Sequence, residues 1–363
     1  MNQKELQYLI AFNKISIIGA VRLQKIIQSF ATLEDAWNAN VSDFLSVGFD
    51  ENTSLKIIEE KKNIAPEKEH EYVVREGIST VTIQDKEYPL LLKNIFNPPP
   101  LLYYRGTLKN ASFSLAVVGT RKISSYGKEV TREITRALSS RGLTIVSGLA
   151  LGVDAVAHQA CIDARGITLA VLGSGLDDKN IYPSSNKILA ENIINSGGAL
   201  ISEYAPGTHP HKMYFPQRNR IISGLTLGTL VTEAPEHSGA LITAYSALEQ
   251  NRDVFAVPGN IFHVNSSGTH KLITKGAKLV TCADDILESL NLENISQKTM
   301  PLEPQTLSRE EEKLMEILRI EPKHIDAIIR ESGLKASRIT SALTILELSG
   351  AIKNIGNGMY RKT

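Results

Sequence analysis

The stretch that decides the fold is SLAVVGTRKISSYGKEVTREITRALSSRGLTIVSG, residues 114–148. It opens with a β-branched, apolar run that ends in glycine, continues with an amphipathic helical pattern, and closes with a second strand-like run. Two parallel strands need a crossover of about this length, usually a helix, so the segment predicts one strand–helix–strand unit.

The same alternation continues toward the C-terminus. Four further strand-like runs, separated by helical patterns, occupy residues 167–175, 199–204, 226–234 and 253–259. The fold class predicted is therefore α/β, with a doubly wound, mostly parallel sheet covered by helices on both faces. Ligands of such sheets bind at the carboxyl ends of the strands, so the functional residues are expected there.

The N-terminal part has a different pattern. Residues 1–65 read as a small domain of short helices, and the turn at residues 17–20 resembles a helix-hairpin-helix (or SAM-like) unit. A charged segment, residues 59–71, predicts a boundary before the sheet domain of residues 70–290. Three prolines at 98–100 force extended backbone, and residues 101–104 then look like an edge strand.

The C-terminal part is predicted to be a separate domain. Residues 291–305 are polar and contain proline, which is typical of a flexible tether. Three helical patterns and a short hairpin follow in residues 306–363, with Asn357 and Gly358 as a favoured hairpin-turn pair. This order is similar to a winged helix.

Composition describes a globular protein without a global charge signal. The chain has 363 residues, is 42% hydrophobic and 22% charged, and carries a formal net charge of +1. A nucleic-acid site would therefore have to be a local concentration of positive charge. The two cysteines, Cys161 and Cys282, are expected to be reduced and buried, and a cytoplasmic protein without a membrane segment is expected.

The most conspicuous polar cluster is FPQRNRIISG, residues 215–224. Phe215, Arg218, Asn219 and Arg220 stand together at a predicted helix start, where guanidinium groups and backbone N–H groups can meet an anionic chain. Alone, these ten residues slightly favour an amphipathic helix whose arginines face solvent. The turn after the first strand, with Gly119, Thr120 and Arg121, adds a charged fork that this alternative does not explain.

Nucleotide and metal motifs do not match. Seven residues separate Gly119 from the Gly127–Lys128 pair, which excludes a Walker A loop, and the glycines at 173 and 175 lack the third small residue of a dinucleotide fingerprint. Asp154 and His158 are predicted to be a structural cap and a hydrogen-bonded histidine. His209 and His211 lack a third ligand, so no metal and no cofactor are expected.

A strand end with Glu233, followed by a helix start at Ser238 and Gly239, suits an anion or a ribose. An equally good interpretation is a tight strand-to-helix connection that needs glycine for packing.

Taken in order, these motifs resemble the DNA-processing protein A (DprA/Smf) family over nearly the whole chain. The resemblance rests on VVGTRKISSYG, IVSGLALGVDAVAH, AVLGSGLDDKNIYPSSN, LISEYAPG, FPQRNRIISGL, VTEAPEHSGALITA and VFAVPGNI. It implies an extended Rossmann-like domain that dimerises and binds single-stranded DNA without base specificity. It also implies a protein that is not an enzyme, protects incoming DNA during natural transformation and loads the RecA recombinase.

Motif by motif, the resemblance assigns the DNA contacts as follows. Arginine and lysine side chains supply phosphate contacts, Phe215 offers a stacking face, Asn219 braces the turn, and glycines and a serine line the rim with backbone donors. The residues assigned are Gly119, Thr120, Arg121, Gly148, Gly173, Ser174, Lys212, Phe215, Arg218, Asn219 and Arg220.

Two alternative functions stay open on sequence grounds. Glu233 after a strand is also a feature of Rossmann-like nucleotide phosphoribohydrolases, although Leu227 and Gly228 stand where those enzymes usually have two glycines. A dimeric interaction scaffold whose winged helix binds protein is the other alternative.

Overall fold

A computed structural model describes residues 2–108, 113–292, 309–318, 321–334, 336–348, 351–356 and 358–362. Residues 1–298 form one compact unit and residues 299–363 form a second.

The first unit contains fourteen α-helices and nine β-strands within its described residues. The helices are α1 Gln3–Lys14, α2 Ala20–Ser29, α3 Leu33–Asn38, α4 Val41–Ser46, α5 Glu51–Lys61, α6 Pro66–Arg75, α7 Leu90–Lys93, α8 Ser125–Ser140, α9 Val153–Asp163, α10 Lys187–Asn195, α11 Tyr214–Gly224, α12 Gly239–Glu249, α13 Ser267–Thr274 and α14 Ala283–Ser289. The strands are β1 Ser79–Thr82, β2 Leu101–Gly106, β3 Ser114–Val118, β4 Thr144–Ser147, β5 Thr168–Val171, β6 Ala199–Ser202, β7 Gly228–Val231, β8 Asp253–Ala256 and β9 Lys278–Leu279.

The nine strands form one sheet in the order β1-β2-β6-β5-β4-β3-β7-β8-β9. Strands β3 to β9 pair in parallel, whereas β1 and β2 are antiparallel additions next to β6. From β3 the sheet grows in both directions, toward β4 on one side and β7 on the other, which confirms the doubly wound, mostly parallel sheet.

One strand prediction was wrong in position. Residues 101–104 belong to β2, which is an interior strand because β1 pairs with its outer side. The three prolines end where the strand begins, so they occupy the positions that precede the ladder rather than an edge within it.

Burial explains why these segments are strands and helices. Strands β3, β5, β6 and β7 are buried at every position, as expected for parallel strands with helices on both faces. One face packs against α11 and α12 through Ile221 and Leu241, and the other against α8 and α9 through Ile134 and Val153.

The N-terminal helices share a core with the sheet. Phe12 of α1 and Phe44 of α4 are fully buried in one cluster with Tyr103 of β2 and Leu172 at the end of β5. The segment predicted as a boundary, residues 59–71, runs from the end of α5 into the first half of α6, inside this continuous unit. The division into domains 1–65 and 70–290 stays a prediction, and the predicted tether, residues 291–305, lies almost wholly outside the described residues.

The second unit contains α15 Arg309–Ile317, β10 Lys323–His324, α16 Ile325–Ser332, α17 Ala336–Leu348, β11 Ile352–Gly356 and β12 Met359–Lys362. Strand β12 pairs antiparallel with both β10 and β11, and Leu314, Ile328 and Leu343 form the core. Three helices followed by a hairpin confirm the winged-helix prediction. Asn357 of the predicted turn lies outside the described residues.

The two cysteines have different environments. Cys161 is buried, and burial raises the pKa of its thiol to about 11. Cys282 is exposed, so the expectation that both thiols are buried was wrong for it, because it precedes α14 at the surface. No helix in the described part of the chain combines the length and apolarity needed to cross a membrane.

Candidate functional site

A cavity of about 570 Å3 opens at the carboxyl ends of the central strands. It lies at the point between β3 and β7 where the order of strand addition reverses. The turns after β3 and β4, helix α11 and the start of α12 form its walls. The lining residues are Val118, Gly119, Arg121, Ala150, Asp154, Tyr182, Lys212, Phe215, Pro216, Arg218, Asn219, Ile222, Ser238, Gly239, Ala240, Ile242 and Thr243.

Helix α11 carries the FPQRNR cluster into this cavity. Ile221 and Ile222 on the following turn are buried against the sheet, so the helix is fixed by its apolar side. Arg218 is only 4% exposed and Asn219 is 9% exposed. The alternative in which the arginines face solvent is therefore wrong for Arg218.

The Arg218 guanidinium forms the floor of the cavity. Its Nη1 donates to the carbonyl oxygens of Gly148, at 2.8 Å, and of Val171, and its Nε donates to Asn219 Oδ1 at 3.2 Å. A Cβ at position 148 would overlap the guanidinium, so a glycine is needed there for the close approach. Gly148 thus contributes an acceptor and space, rather than a free backbone donor.

Asp154 faces the same floor. Its Oδ2 accepts hydrogen bonds from the backbone N–H groups of Gly148 at 3.1 Å and Ala150 at 3.3 Å. Burial raises the pKa of Asp154, and the Arg218 charge opposes that rise. Burial also lowers the pKa of Arg218 to about 10, an effect that Asp154 counteracts, so the arginine is protonated at neutral pH. The predicted structural role of Asp154 is thus found, but the prediction of a helix cap was wrong, because the N-cap of α9 is Gly152 and the Asp154 carboxylate binds the turn before the helix.

An aromatic wall and two exposed cations form the mouth. The Phe215 ring lies 5.6 Å from the Tyr182 ring and 5.5 Å from the Arg121 guanidinium, measured between centroids and to the guanidinium carbon. Arg121 and Lys212 are both exposed and line the cavity. A base could stack on the aromatic faces while the cations meet phosphates.

The opposite wall is the beginning of α12. Ser238 caps this helix by accepting from the Ala240 N–H at 3.3 Å, and Gly239 lines the cavity beside it. Both interpretations of this segment from the sequence, a packed connection and an anion-facing helix start, are compatible with that position.

The structure brings together most of the residues predicted for the site, but not all of them. Six line the cavity, and Gly148 lines a small adjoining space bordered by Arg121, Phe215 and Arg218. The six are Gly119, Arg121, Lys212, Phe215, Arg218 and Asn219.

Four predicted residues do not line the cavity. Arg220 forms an ion pair with the largely buried Glu203, on another side of α11. Ser174 is buried and donates to the Asn180 carbonyl at 2.7 Å, and Thr120 is buried with its N–H donated to the Glu233 carbonyl at 2.7 Å. Gly173 makes room for the ring, because a Cβ there would lie 3.1 Å from Phe215 Cδ1.

Glu233 is occupied by structural contacts. It is 2% exposed and accepts from the Ser124 N–H at 2.9 Å and the Ser124 hydroxyl at 2.6 Å. Ser124 is the N-cap of α8, so the carboxylate sits at the positive end of that helix. It does not line the cavity, which weakens the comparison with a phosphoribohydrolase.

Tyr182 and Ile242 are cavity residues that no sequence motif indicates. Tyr182 lies in a loop after β5 and is 46% exposed, and Ile242 is 41% exposed on α12. The only available signal was their position after strand ends, which many other residues share.

Comparison with known proteins shows the class of protein to which the chain belongs. A family model described as DNA recombination-mediator protein A matches residues 79–291, and a second, described as DprA winged helix domain, matches residues 298–358. The chain is thus a DNA-processing, DNA-binding protein with a Rossmann-like sheet and a winged helix. It belongs to the DNA-processing protein A (DprA/Smf) family, as the sequence motifs predicted.

Individual relatives agree with this assignment. Protein Smf of Synechocystis is 34% identical over the full length of both chains, and DNA processing protein DprA of Bacillus subtilis is 45% identical over 62% of this chain and 75% of its own. The crystal structure of DprA from Streptococcus pneumoniae is 37% identical, covers 75% of this chain and 98% of its own, and superposes with a TM-score of 0.61. A DprA structure from Helicobacter pylori, reported for its single-stranded DNA binding mode, is 29% identical with a TM-score of 0.53, over 59% of this chain and 95% of its own.

Proposed function

We propose that this protein binds single-stranded DNA at the cavity mouth and turns over no substrate. The observation that carries the proposal is the position of the exposed Arg121 over the Phe215 ring, with Lys212 on the same rim. Cations that track phosphates and an aromatic face that accepts any base are the two elements of sequence-independent single-strand binding. The relative from Helicobacter pylori, described for its single-stranded DNA binding, supports the choice of ligand.

The cellular role we propose is that of the family. The protein would protect incoming single strands in the cytoplasm during natural transformation and load the RecA recombinase on them. The family description, a DNA recombination mediator, supports this role. RecA ATPase activity on a strand precoated with single-stranded DNA-binding protein should rise when this protein is added, and an unchanged rate would contradict the loading role.

We also propose that the Rossmann-like domain forms a homodimer. The loop after β8 exposes Ile261 at 77%, Phe262 at 90% and Val264 at 72%, and a second copy would cover this apolar surface. Sedimentation equilibrium of the whole chain measures the mass directly, and a monomer at micromolar concentration would contradict the proposal.

The variant Arg121→Glu should bind single-stranded DNA more weakly than wild type. Reversing the rim charge replaces attraction of a phosphate by repulsion, so affinity for a fluorescent oligothymidylate should fall by about 10-fold to 100-fold. The dependence of affinity on salt should also become shallower, because fewer counterions are released. Fluorescence anisotropy titrations at several salt concentrations measure both quantities.

Arg136→Glu is the matched control. Arg136 is exposed on α8, the helix that leads away from the carboxyl ends of the strands, and it does not line the cavity. Its reversal makes the same change in net charge and should alter affinity far less than Arg121→Glu. Equal losses for the two variants, or none for Arg121→Glu, would remove the cavity from the DNA-binding site.

A further inference from the structure

The loop that carries Lys212 to the cavity is attached to the N-terminal helices. This rim loop, residues 203–213, connects β6 to α11. Lys14, the last residue of α1, donates from Nζ to the carbonyl oxygen of Pro206 at 2.7 Å. Within the described part of the chain, α1 contributes no residue to the cavity lining. A helix that lies outside the site therefore holds a loop that belongs to it.

The Lys14 ammonium is itself confined. It pairs with Glu69 of α6 at 3.2 Å and lies 5.9 Å from the ring centroid of Tyr72, on the same helix. On the loop side, a Cβ at Gly207 would lie only 3.2 Å from Lys14 Nζ, and the φ of +84° at Gly207 also favours glycine. Because the Lys14 side chain is only 27% exposed and has partners on two sides, its bond to the loop is a fixed contact.

The residues that follow in the rim loop are fixed by the loop after β5. The buried carboxylate of Asp177 accepts from the Gly207 N–H at 2.7 Å and from Asn180 Nδ2 at 2.6 Å. Since the amide nitrogen of Asn180 donates to Asp177, its Oδ1 accepts from His209 Nδ1 at 2.6 Å. These bonds hold the rim loop up to three residues before Lys212.

Such an anchored loop matters for binding because ordering a chain segment costs free energy. Lys212 is exposed and lines the cavity mouth, so its own side chain has few contacts that could fix its position. Its place is set by the backbone of the rim loop. If that backbone is ordered before a ligand arrives, binding does not have to supply the entropy cost of ordering it.

We propose that Lys14 is a positioning residue for single-stranded DNA binding, which fixes the rim loop through the Pro206 carbonyl and thereby holds Lys212 at the cavity mouth. The N-terminal helices thus take part in DNA binding without touching the strand. This inference rests on the proposed function and adds a task for a part of the chain that lies outside the cavity.

The test is a double-mutant cycle of Lys14→Met and Lys212→Ala. Methionine keeps most of the unbranched stem and removes the amine, so affinity for a fluorescent oligothymidylate should fall by about 3-fold to 10-fold, because the loop is then ordered only on binding. In the Lys212→Ala background the same replacement should cost less than about 2-fold, since the cation to be positioned is absent. Anisotropy titrations measure all four proteins, and circular dichroism verifies that each is folded at the titration temperature.

Lys4→Met is the matched control. Lys4 lies at the other end of α1, is 63% exposed and pairs with Glu34 at 2.7 Å. The replacement makes the same change in charge on the same helix and should leave affinity within about 2-fold of wild type. Equal losses for Lys4→Met and Lys14→Met, or a loss for Lys14→Met that is as large without Lys212 as with it, would overturn the inference.

Salt dependence separates a positioning residue from a phosphate ligand. Lys212→Ala should reduce the slope of log affinity against log salt by about 0.7, the value for one phosphate of a single strand, whereas Lys14→Met should leave the slope unchanged. A reduction of that size in Lys14→Met would make Lys14 a direct DNA contact and would also overturn the inference.

Hydrogen exchange of wild-type protein does not depend on how well the variants fold. The N–H groups of Gly207 and Thr208 donate to Asp177 and to the Ala205 carbonyl, so they should be as well protected in the free protein as in the complex. Protection that arises only with DNA would contradict a loop ordered in advance. If wild type does not bind oligothymidylate, the proposed function itself fails; if it binds and Lys14→Met binds equally well, only this inference fails.

Discussion

His158 lies fully buried on α9, and its hydrogen bonds define which ring nitrogen carries the proton. The Thr168 hydroxyl donates to the Ile145 carbonyl at 2.9 Å, so at 2.7 Å it accepts the proton of His158 Nδ1. Nε2 then carries a lone pair and has no partner among the described residues. Burial, and secondarily the Arg218 charge, lower the pKa of His158 from 6.5 to about 3. The predicted hydrogen-bonded histidine is confirmed, and it is neutral in the folded protein.

This neutral state predicts a pH-dependent stability. Unfolded His158 takes up a proton below pH 6.5 and folded His158 does so only near pH 3, so the unfolded state binds more protons between these values. The contribution of His158 to the free energy of unfolding is therefore complete above about pH 6.5. It falls as the pH drops toward 3, by up to about 1.4 kcal/mol per pH unit. Urea unfolding followed by the single tryptophan, Trp37, measures it.

His158→Gln removes this titration, so its stability deficit against wild type should shrink between pH 6.5 and 4. His237→Gln, at an exposed position, is the control and should follow wild type. A constant deficit of His158→Gln across this range would contradict the prediction.

At the scale of single residues, sequence predicted the exposed rim better than the buried floor. Arg121, Lys212 and Phe215 follow from motifs placed after strand ends, and they meet in the cavity. Arg218 and Arg220 are two positions apart on a helix and point to different sides, one into the cavity and one to Glu203. Which of the two faces a ligand depends on how α11 is rotated on the sheet, and the local sequence does not determine that rotation.

Among the secondary structure elements, helix α8 depends on a residue from another part of the chain. Glu233, at the end of β7, accepts from Ser124 at the α8 N-cap, and a Cβ at Gly127 would overlap its carboxylate. The connection between β7 and α8 explains why the chain needs both an acid and a glycine at these points. Glu233 therefore has a structural role, although an acidic residue just after a strand is also the sequence pattern of a catalytic residue.

Glu233→Gln should therefore lower stability without removing an activity. An amide presents a donor where the carboxylate accepts from Ser124, so one buried hydrogen bond is lost and the free energy of unfolding should fall by about 1–3 kcal/mol. Incubating wild type and variant with nucleoside monophosphates should release no free base from either. Urea unfolding and chromatography of the nucleotide mixture give the two readouts.

Glu236→Gln, exposed in the same connection, is the matched control and should change stability little. If wild type releases base and Glu233→Gln abolishes that release at unchanged stability, the protein is a phosphoribohydrolase-type enzyme and our interpretation is wrong.

All six strand predictions from residue 114 onward correspond to strands of the sheet, because buried parallel strands leave long apolar runs that end in glycine. The prediction that failed, the edge position of β2, concerned pairing. Strand β1 has only four residues, and its contact with β2 lies about twenty residues away along the chain. Local composition contains no information on such a partner.

For the whole molecule, the shared core of α1–α6 and the sheet predicts that residues 1–65 cannot be removed without loss. Their deletion would expose Leu101, Tyr103, Leu172 and Leu200, all buried in that core. Each large apolar side chain contributes about 1.5–3 kcal/mol, so the loss should exceed about 5 kcal/mol. Thermal unfolding of the truncated chain should begin at a much lower temperature, or the chain should aggregate.

Deletion of residues 299–363 is the comparison, because these residues form a compact unit of their own. It should leave the unfolding midpoint of the first unit and its affinity for oligothymidylate close to those of the whole chain. If the chain without residues 1–65 unfolds at the same temperature as the whole protein, the helices are an independent domain after all.

The shared core also means that the N-terminal helices must wait during synthesis for the residues they pack against. Lys14, at the end of α1, donates at 2.7 Å to the carbonyl of Pro206, 192 residues later in the chain. At about 5–20 residues per second the ribosome needs about 10–40 s to make the partner of a helix that it has already released. The helices translated first thus cannot complete their packing until this interval has passed, and during it their apolar faces are open to chaperones and to neighbouring nascent chains.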